Sequence, residues 1–332
     1  MKLRTRRGKY WIGFDLGGTK MLATVFDDEF HPLGASRQKT KGLYGAKAVL
    51  GRIQNTIEAA LEDARVSPSK IAGLGFGCPG PLDLNRGIVL SSPNLGWHNV
   101  MLKRWLDKHL PFPSLVVNDV DAGTYGEYRF GAGRGARCLV GVFPGTGIGG
   151  ACIYDGQLIR GTSMSAFEIG HLQVQPGGRL CGCGKSGCLE TAASRLAIAS
   201  DIAVAIYRGE AVIMRELAGT DLTSIKSAAI AEAIKKGDAT VSAIVRNAAR
   251  LLGVGVAAAV NLMAPDRVVL GGGLVEAMPK LYLEEVKRGM APATLPTFMQ
   301  DVHLVTAALG DNASALGAAA LASESFGKRS RN

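Results

Sequence analysis

Two stretches decide the fold, and they resemble each other: residues 12–28, IGFDLGGTKMLATVFDD, and residues 140–156, VGVFPGTGIGGACIYDG. Each begins as an apolar strand, passes through a loop of glycines and a threonine, and returns as a second strand running into an aspartate. That pattern predicts a β-hairpin with a glycine-rich turn. Small residues in such a turn let backbone N–H groups approach a phosphate closely. A single turn of this kind is weak evidence, because a plain tight hairpin reads the same way. Two of them, each opening one half of the chain, point to two similar domains facing each other.

The sequence around the hairpins alternates between the two periodicities. Val49, Leu50, Ile53, Ile57, Ala60, Leu61 and Ala64 recur at helical spacing, which predicts a helix over about 45–66. Residues 71–77 read as a buried strand ending in the sharp turn CPGP, and 115–118 as a strand followed by a helix from about Ala122. Further helices are expected near 192–208, 227–236 and 240–262, with a strand at 268–270 running into Gly271, Gly272 and Gly273. Asp311 and Asn312 can cap a last Ala-rich helix to about Ser323. Strands alternating with helices indicate an α/β architecture with partly parallel sheets. The domain boundary is expected within 128–137, where RFGAGRGAR is loop-like and basic.

Composition narrows the class. At 332 residues the chain exceeds what one core usually holds, and 47% apolar with 20% charged residues is ordinary for a globular protein. The longest apolar run, 251–264, is too short to span a bilayer, and the basic N-terminus lacks the apolar segment of a secretion signal. A cytoplasmic protein with no membrane partner is expected. The net charge of +10 draws on both ends: Lys2, Arg4, Arg6, Arg7 and Lys9 at one, Lys328, Arg329 and Arg331 at the other. We read these as solvated tails rather than a nucleic-acid site; the excess charge suits an anionic substrate only weakly.

Three of the six cysteines crowd into CGCGKSGC at 181–188, ten residues after the histidine of FEIGH. Cys181, Cys183, Cys188 and His171 offer three thiolates and one imidazole, the ligand set of a closed structural zinc site. Cys78, Cys138 and Cys152 stand singly in apolar or glycine-rich surroundings and read as buried small hydrophobes.

The motifs follow one another as DLGGTK at 15–20, CPGP at 78–81, SPNLGW at 92–97, VNDVDAG at 117–123, PGTGIGG at 144–150, FEIGH at 167–171, the cysteine cluster, and LGGGL at 270–274. In that order they resemble the sugar kinases of the "repressor, open reading frame, kinase" family, within the actin–hexokinase superfamily. The resemblance covers nearly the whole chain. It implies an α/β fold of the two-domain actin-like ATPase type, ribonuclease H-like in each half. The small domain would be 1–127, joined by a C-terminal helix at 311–325, and the large domain 128–310 with the zinc knuckle. An ATP cleft between them would close on sugar.

The resemblance also assigns roles. Gly17, Gly18 and Thr19 from one turn, and Gly145, Thr146 and Gly147 from the other, would cradle the phosphates of ATP. Asp15 would hold Mg2+, mostly through water, and Gly271, Gly272 and Gly273 would leave room for adenosine. Asp119 matches the catalytic base, and Asn118 and Asn94 match sugar contacts. Glu168, His171 and Glu190 would take sugar hydroxyls, with His171 binding Zn2+ through one ring nitrogen and sugar through the other. Asp121 more naturally caps the following helix, Lys20 either reaches phosphate or covers the surface, and Trp97 reads as core. Phe167 departs from the family, which often has glycine before this glutamate, and a bulky ring there could reshape the sugar pocket.

The implied activity is ATP-dependent phosphorylation of a hexose, glucose first, giving glucose 6-phosphate. A kinase for N-acetylglucosamine or N-acetylmannosamine, and a non-enzymatic sugar-binding protein, share these motifs. Polyphosphate is an alternative donor. Repressors of the family carry a DNA-binding domain ahead of the first phosphate motif, and only fourteen residues precede Asp15, so no nucleic-acid partner is expected. The family relation implies a homo-dimer or homo-tetramer.

Overall fold

The first glycine-rich segment folds as a hairpin: β1 (Tyr10–Leu16) runs antiparallel to β2 (Lys20–Phe26), with Asp15 paired to Leu22. The structure, a computed structural model, describes residues 9–42, 45–92, 95–162 and 166–327. The chain divides into two compact units, one of Met1–Phe130, Arg160–Ala166 and Asp311–Asn332, the other of Gly131–Ile159 and Phe167–Gly310.

In the first unit, β3 (Pro32–Lys39) extends the hairpin, while β4 (Ile71–Cys78) and β8 (Ser114–Asn118) add in parallel on the other side. The strand order is β3-β2-β1-β4-β8. Phe14 and Phe76, neighbours on β1 and β4, stack with ring centroids 4.5 Å apart. Helix α1 (Ala46–Ala64) packs on β2 and β3, burying Val49, Ile53, Ile57, Ala60 and Leu61. A small sheet of β5 (Leu82–Asp83), β6 (Ile88–Ser92) and β7 (Trp97–Val100) precedes α2 (Leu102–His109), and Trp97 is fully buried there.

Helix α3 (Asp119–Phe130) and the last helix, α12 (Ala313–Gly327), cross so closely that only backbone separates them. A Cβ on Gly317 would lie 1.8 Å from the Ala122 carbonyl oxygen, and one on Gly75 would lie 1.8 Å from that of Ala318. The glycines and the alanine-rich face of α12 are therefore packing requirements. α3 begins at Asp119, earlier than expected, because Asn118 caps it: its Oδ1 accepts from the N–H groups of Val120 (2.8 Å) and Asp121 (3.1 Å). Asp121 instead lies buried in the first turn. Asp311, just ahead of α12, also pairs its carboxylate with Lys20 (2.6 Å) and Arg37 (2.9 Å).

The second unit repeats the plan. β9 (Cys138–Pro144) and β10 (Ile148–Tyr154) form the second hairpin, extended by β11 (Gln157–Leu158). β12 (Arg267–Leu270) and β13 (His303–Thr306) add in parallel, giving β11-β10-β9-β12-β13. Residues expected as one helix near 192–208 form α4 (Glu190–Ala193) and α5 (Arg195–Tyr207), split at Ser194. Ser194 is extended (φ −72°, ψ 161°), and its hydroxyl accepts from the Ala197 N–H at 3.2 Å, which starts a new helix.

Helices α6 (Val212–Ala218), α7 (Ser227–Lys235) and α8 (Ala239–Met263) complete the core with α9 (Gly273–Ala277), α10 (Pro279–Met290) and α11 (Pro296–Asp301). At 25 residues α8 is long and apolar enough to cross a membrane, which its shorter apolar run did not suggest. Val241, Val245, Leu252, Val256 and Val260 are instead fully buried against the rest of this unit.

Candidate active site

In the first unit the strands β1, β4 and β8 are parallel, so their C-terminal ends share one edge of the sheet. Ligands in α/β sheets bind outside such ends. Asp15, near the end of β1, pairs with Gly77 on β4, and Cys78 pairs with Asn118 at the end of β8. Asp119 follows directly. A Cβ on Gly77 would sit 2.7 Å from Ser314 Oγ and 3.6 Å from Asp119 Cα, so these groups crowd one place.

Electrostatics mark the same place. Burial, then the nearby Asp15 charge, push the Asp119 carboxyl up to about 7, although the Val120 N–H donates to its Oδ1 at 2.9 Å. Burial raises Asp15 to about 6, with Ser314 and Lys20 pulling the other way. Cys78, fully buried, is also raised by burial and by these two carboxylates. Two carboxylates that resist ionisation side by side fit a divalent cation, which would relieve both.

Gly17, Gly18 and Thr19 form the turn of the first hairpin, closed by Gly17 N–H donating to Lys20 O at 2.9 Å. Thr40 braces it, its hydroxyl donating to Gly17 O (2.6 Å) and its N–H to Thr19 O (2.9 Å). Lys20 is engaged by Asp311. Asn94 lies outside the described residues.

In the second unit, Gly145, Thr146 and Gly147 form the matching turn, with Gly145 N–H donating to Gly147 O at 2.8 Å. Gly271–Gly273 lies against the strand that enters this turn: a Cβ on Gly271 would touch the Phe143 ring at 2.4 Å, and one on Gly272 the Pro144 carbonyl oxygen at 2.9 Å. Three further bonds tie the turn to α4 and α5. Glu190 Oε2 accepts from the Ile148 N–H at 2.9 Å, Arg195 N–H donates to Gly145 O at 2.8 Å, and Arg195 Nη2 donates to Thr146 Oγ1 at 2.9 Å. Arg195 carried no signal in the sequence, since only folding brings it to residues 49 positions away.

Glu168 precedes a short 3-10 turn, Ile169–His171, that His171 ends, and both are exposed. The side chains of His171, Cys181, Cys183 and Cys188 converge, their ligand atoms all within 4.8 Å of one another. His171 Nδ1 is 3.6 Å from Cys181 Sγ, and Cys183 Sγ is 3.7 Å from Cys188 Sγ. Tetrahedral zinc with Zn–S of about 2.3 Å needs sulfurs just under about 4 Å apart, so the set fits. Burial, then the neighbouring thiols, push Cys188 up to about 12, a cost that a bound cation would remove. Phe167 has φ +63°, and its ring packs partly buried against the core of this unit.

Two units with one strand order, each opened by a glycine-rich hairpin, define the actin-like ATPase fold. Residues 11–325 match the ROK family model, and the chain belongs to the ROK family. It is 33% identical over 317 residues to a glucokinase of Streptomyces coelicolor, covering 94% of this chain and 97% of that protein. It is 28% identical to a xylose repressor of Caldicellulosiruptor bescii, over 93% of this chain and 77% of that protein. A crystal structure of a ROK family glucokinase from Streptomyces griseus, in complex with glucose and AMPPNP, superposes with TM-score 0.82 at 31% identity, covering 95% of this chain and 99% of that one.

Proposed function

We propose that this chain is an ATP-dependent hexose kinase that transfers the terminal phosphoryl group of ATP to the 6-hydroxyl of glucose. The observation that carries the reading is the carboxylate pair at the parallel strand ends, with Asp119 pushed up to about 7. An unperturbed aspartate is a weak base at neutral pH; one poised near 7 matches the task of taking a hydroxyl proton. As the sugar oxygen bonds to phosphorus, its proton passes to Asp119, and the bond to the ADP oxygen breaks. The loose transition state makes alignment as important as proton removal.

Asp15 would hold Mg2+, which supplies charge neutralisation on the phosphates. Gly17, Gly18 and Thr19, with Gly145, Thr146 and Gly147, would present backbone N–H groups to them, and Gly271–Gly273 would flank the adenosine. Glu168, His171 and Glu190 would hold sugar hydroxyls; Nδ1 of His171 faces the cysteines, which leaves Nε2 for sugar. Zn2+ on His171, Cys181, Cys183 and Cys188 would be structural, since protein fills all four positions. Homology to glucokinases supports the kinase reading. A Listeria monocytogenes protein described as a putative N-acetylmannosamine kinase shares the fold at 20% identity, TM-score 0.75, so amino sugars belong in the test.

The test is product analysis on a panel of hexoses and N-acetylated hexosamines, with MgATP and with polyphosphate. Glucose 6-phosphate formed from MgATP is the expected result. Product from N-acetylated sugars alone, or from none, would overturn the assignment.

A further inference from the structure

Arg195 holds the second glycine-rich turn twice, by its backbone N–H on Gly145 O and by its guanidinium on the Thr146 hydroxyl. It is half-buried, and burial lowers its pKa. Five other arginines of this unit have acidic partners: Arg137 pairs with Asp155, Arg179 with Asp201, and Arg246, Arg250 and Arg288 all with Glu285. Among the described residues no carboxylate lies within ion-pair distance of Arg195. The nearby Glu190 is turned to the Ile148 N–H instead.

A guanidinium has five N–H donors, and one here is fixed by Thr146. A partly desolvated cation with no counter-charge is costly until an anion arrives. Its planar fork matches phosphate oxygens and stays charged at any working pH. We propose that Arg195 is a phosphate-binding residue of the donor site, contacting the phosphoryl chain of a nucleotide held against Gly145–Gly147. This rests on reading that turn as a phosphate cradle. Thr146 is then a positioning residue that orients the guanidinium, and the side chain supplies the turn with a positive charge that its backbone lacks.

Titration calorimetry with MgADP and with adenosine tests it on the parent, Arg195→Gln, Arg195→Lys and Arg208→Leu. Glutamine removes the charge and keeps a polar amide, lysine keeps the charge without the fork, and Arg208 is an exposed arginine at the far end of α5. The expected result is ADP affinity down roughly tenfold in Arg195→Gln, the scale of a lost charged hydrogen bond, with Arg195→Lys in between. Adenosine affinity should not change, and Arg208→Leu should match the parent. ADP affinity within about twofold of the parent in Arg195→Gln, or an equal loss for adenosine, would overturn the proposal. A parent that binds ADP but phosphorylates no sugar would sink the kinase reading and leave the Arg195 result standing. A parent that binds no ADP would overturn the Arg195 assignment itself.

Discussion

Glu190 and Gly147 compete for one space: a Cβ on Gly147 would lie 2.3 Å from Glu190 Oε2. The glycine leaves room for the carboxylate to reach the Ile148 N–H at 2.9 Å. Glycine at 147 therefore serves packing as well as any phosphate approach. The same glutamate is our candidate for a sugar hydroxyl, so one carboxylate would serve the sugar and brace the donor turn.

Gly147→Ala should push Glu190 off Ile148 and damage both functions. We expect the KM values for glucose and MgATP to rise together, each by roughly tenfold, the scale of one lost charged hydrogen bond. In the Gly147→Ala background, Glu190→Gln should then cost far less than it does alone, because the interaction is already gone. Additive losses in the double variant would show that the two residues act independently.

Asp119→Asn should lose activity and gain stability. The amide keeps the shape but takes no proton, so kcat should fall by at least about a hundredfold. The folded carboxyl sits at about 7 against an ordinary aspartate value of 3.8, so the folded state binds more protons between those values. Stability from this group is full below pH about 4 and is lost as pH rises through about 7. The variant should thus be more stable than the parent at pH 8, by about 1–2 kcal/mol after allowing for partial solvent access, and indistinguishable near pH 4. Denaturant titrations at the two pH values check this; a destabilised variant at pH 8 would remove the electrostatic account.

Much of this site was legible because its chemistry is local in sequence. The hairpin turns and the cysteine cluster are contiguous, and each carries its geometry in glycine spacing. Asp119 was legible as a motif, but its lifted pKa was not, since that depends first on burial in the folded chain and then on Asp15 from a strand far away in sequence. Asn118 and Asp121 exchanged the capping role because both residue types cap well, and only the backbone decides which one precedes the helix. Lys20, Arg37 and Asp311 join across nearly 300 positions, and no local pattern announces that. The split at Ser194 was hidden for a different, local reason: a serine is tolerated inside a helical period, and only the extended backbone there turns its hydroxyl into a cap for Ala197.

One zinc per chain should be present in protein purified without chelator, measured by elemental analysis. Cys181→Ser should remove it and lower the unfolding temperature, because metal binding contributes directly to folding in such knuckles. Of the three thiols, Cys183 is exposed, so a chelator has access to the set. Zinc-free protein with full activity, or an unchanged melting temperature in Cys181→Ser, would refute the structural role.

Phe167 offers a test of backbone strain. Its φ of +63° lies in the left-handed region, which costs a residue with a Cβ about 1–2 kcal/mol. Its carbonyl oxygen accepts from the Ile169 N–H at 2.7 Å, so the turn leading to Glu168 and His171 holds the conformation in place. Phe167→Ala loses the ring packing and keeps the strain; Phe167→Gly loses the same packing and relieves it. Glycine should therefore be the more stable of the two by about 1 kcal/mol, the reverse of the usual order in a regular element. Thermal unfolding of the pair decides the point, and an alanine variant as stable as the glycine one would mean that the strain is absent.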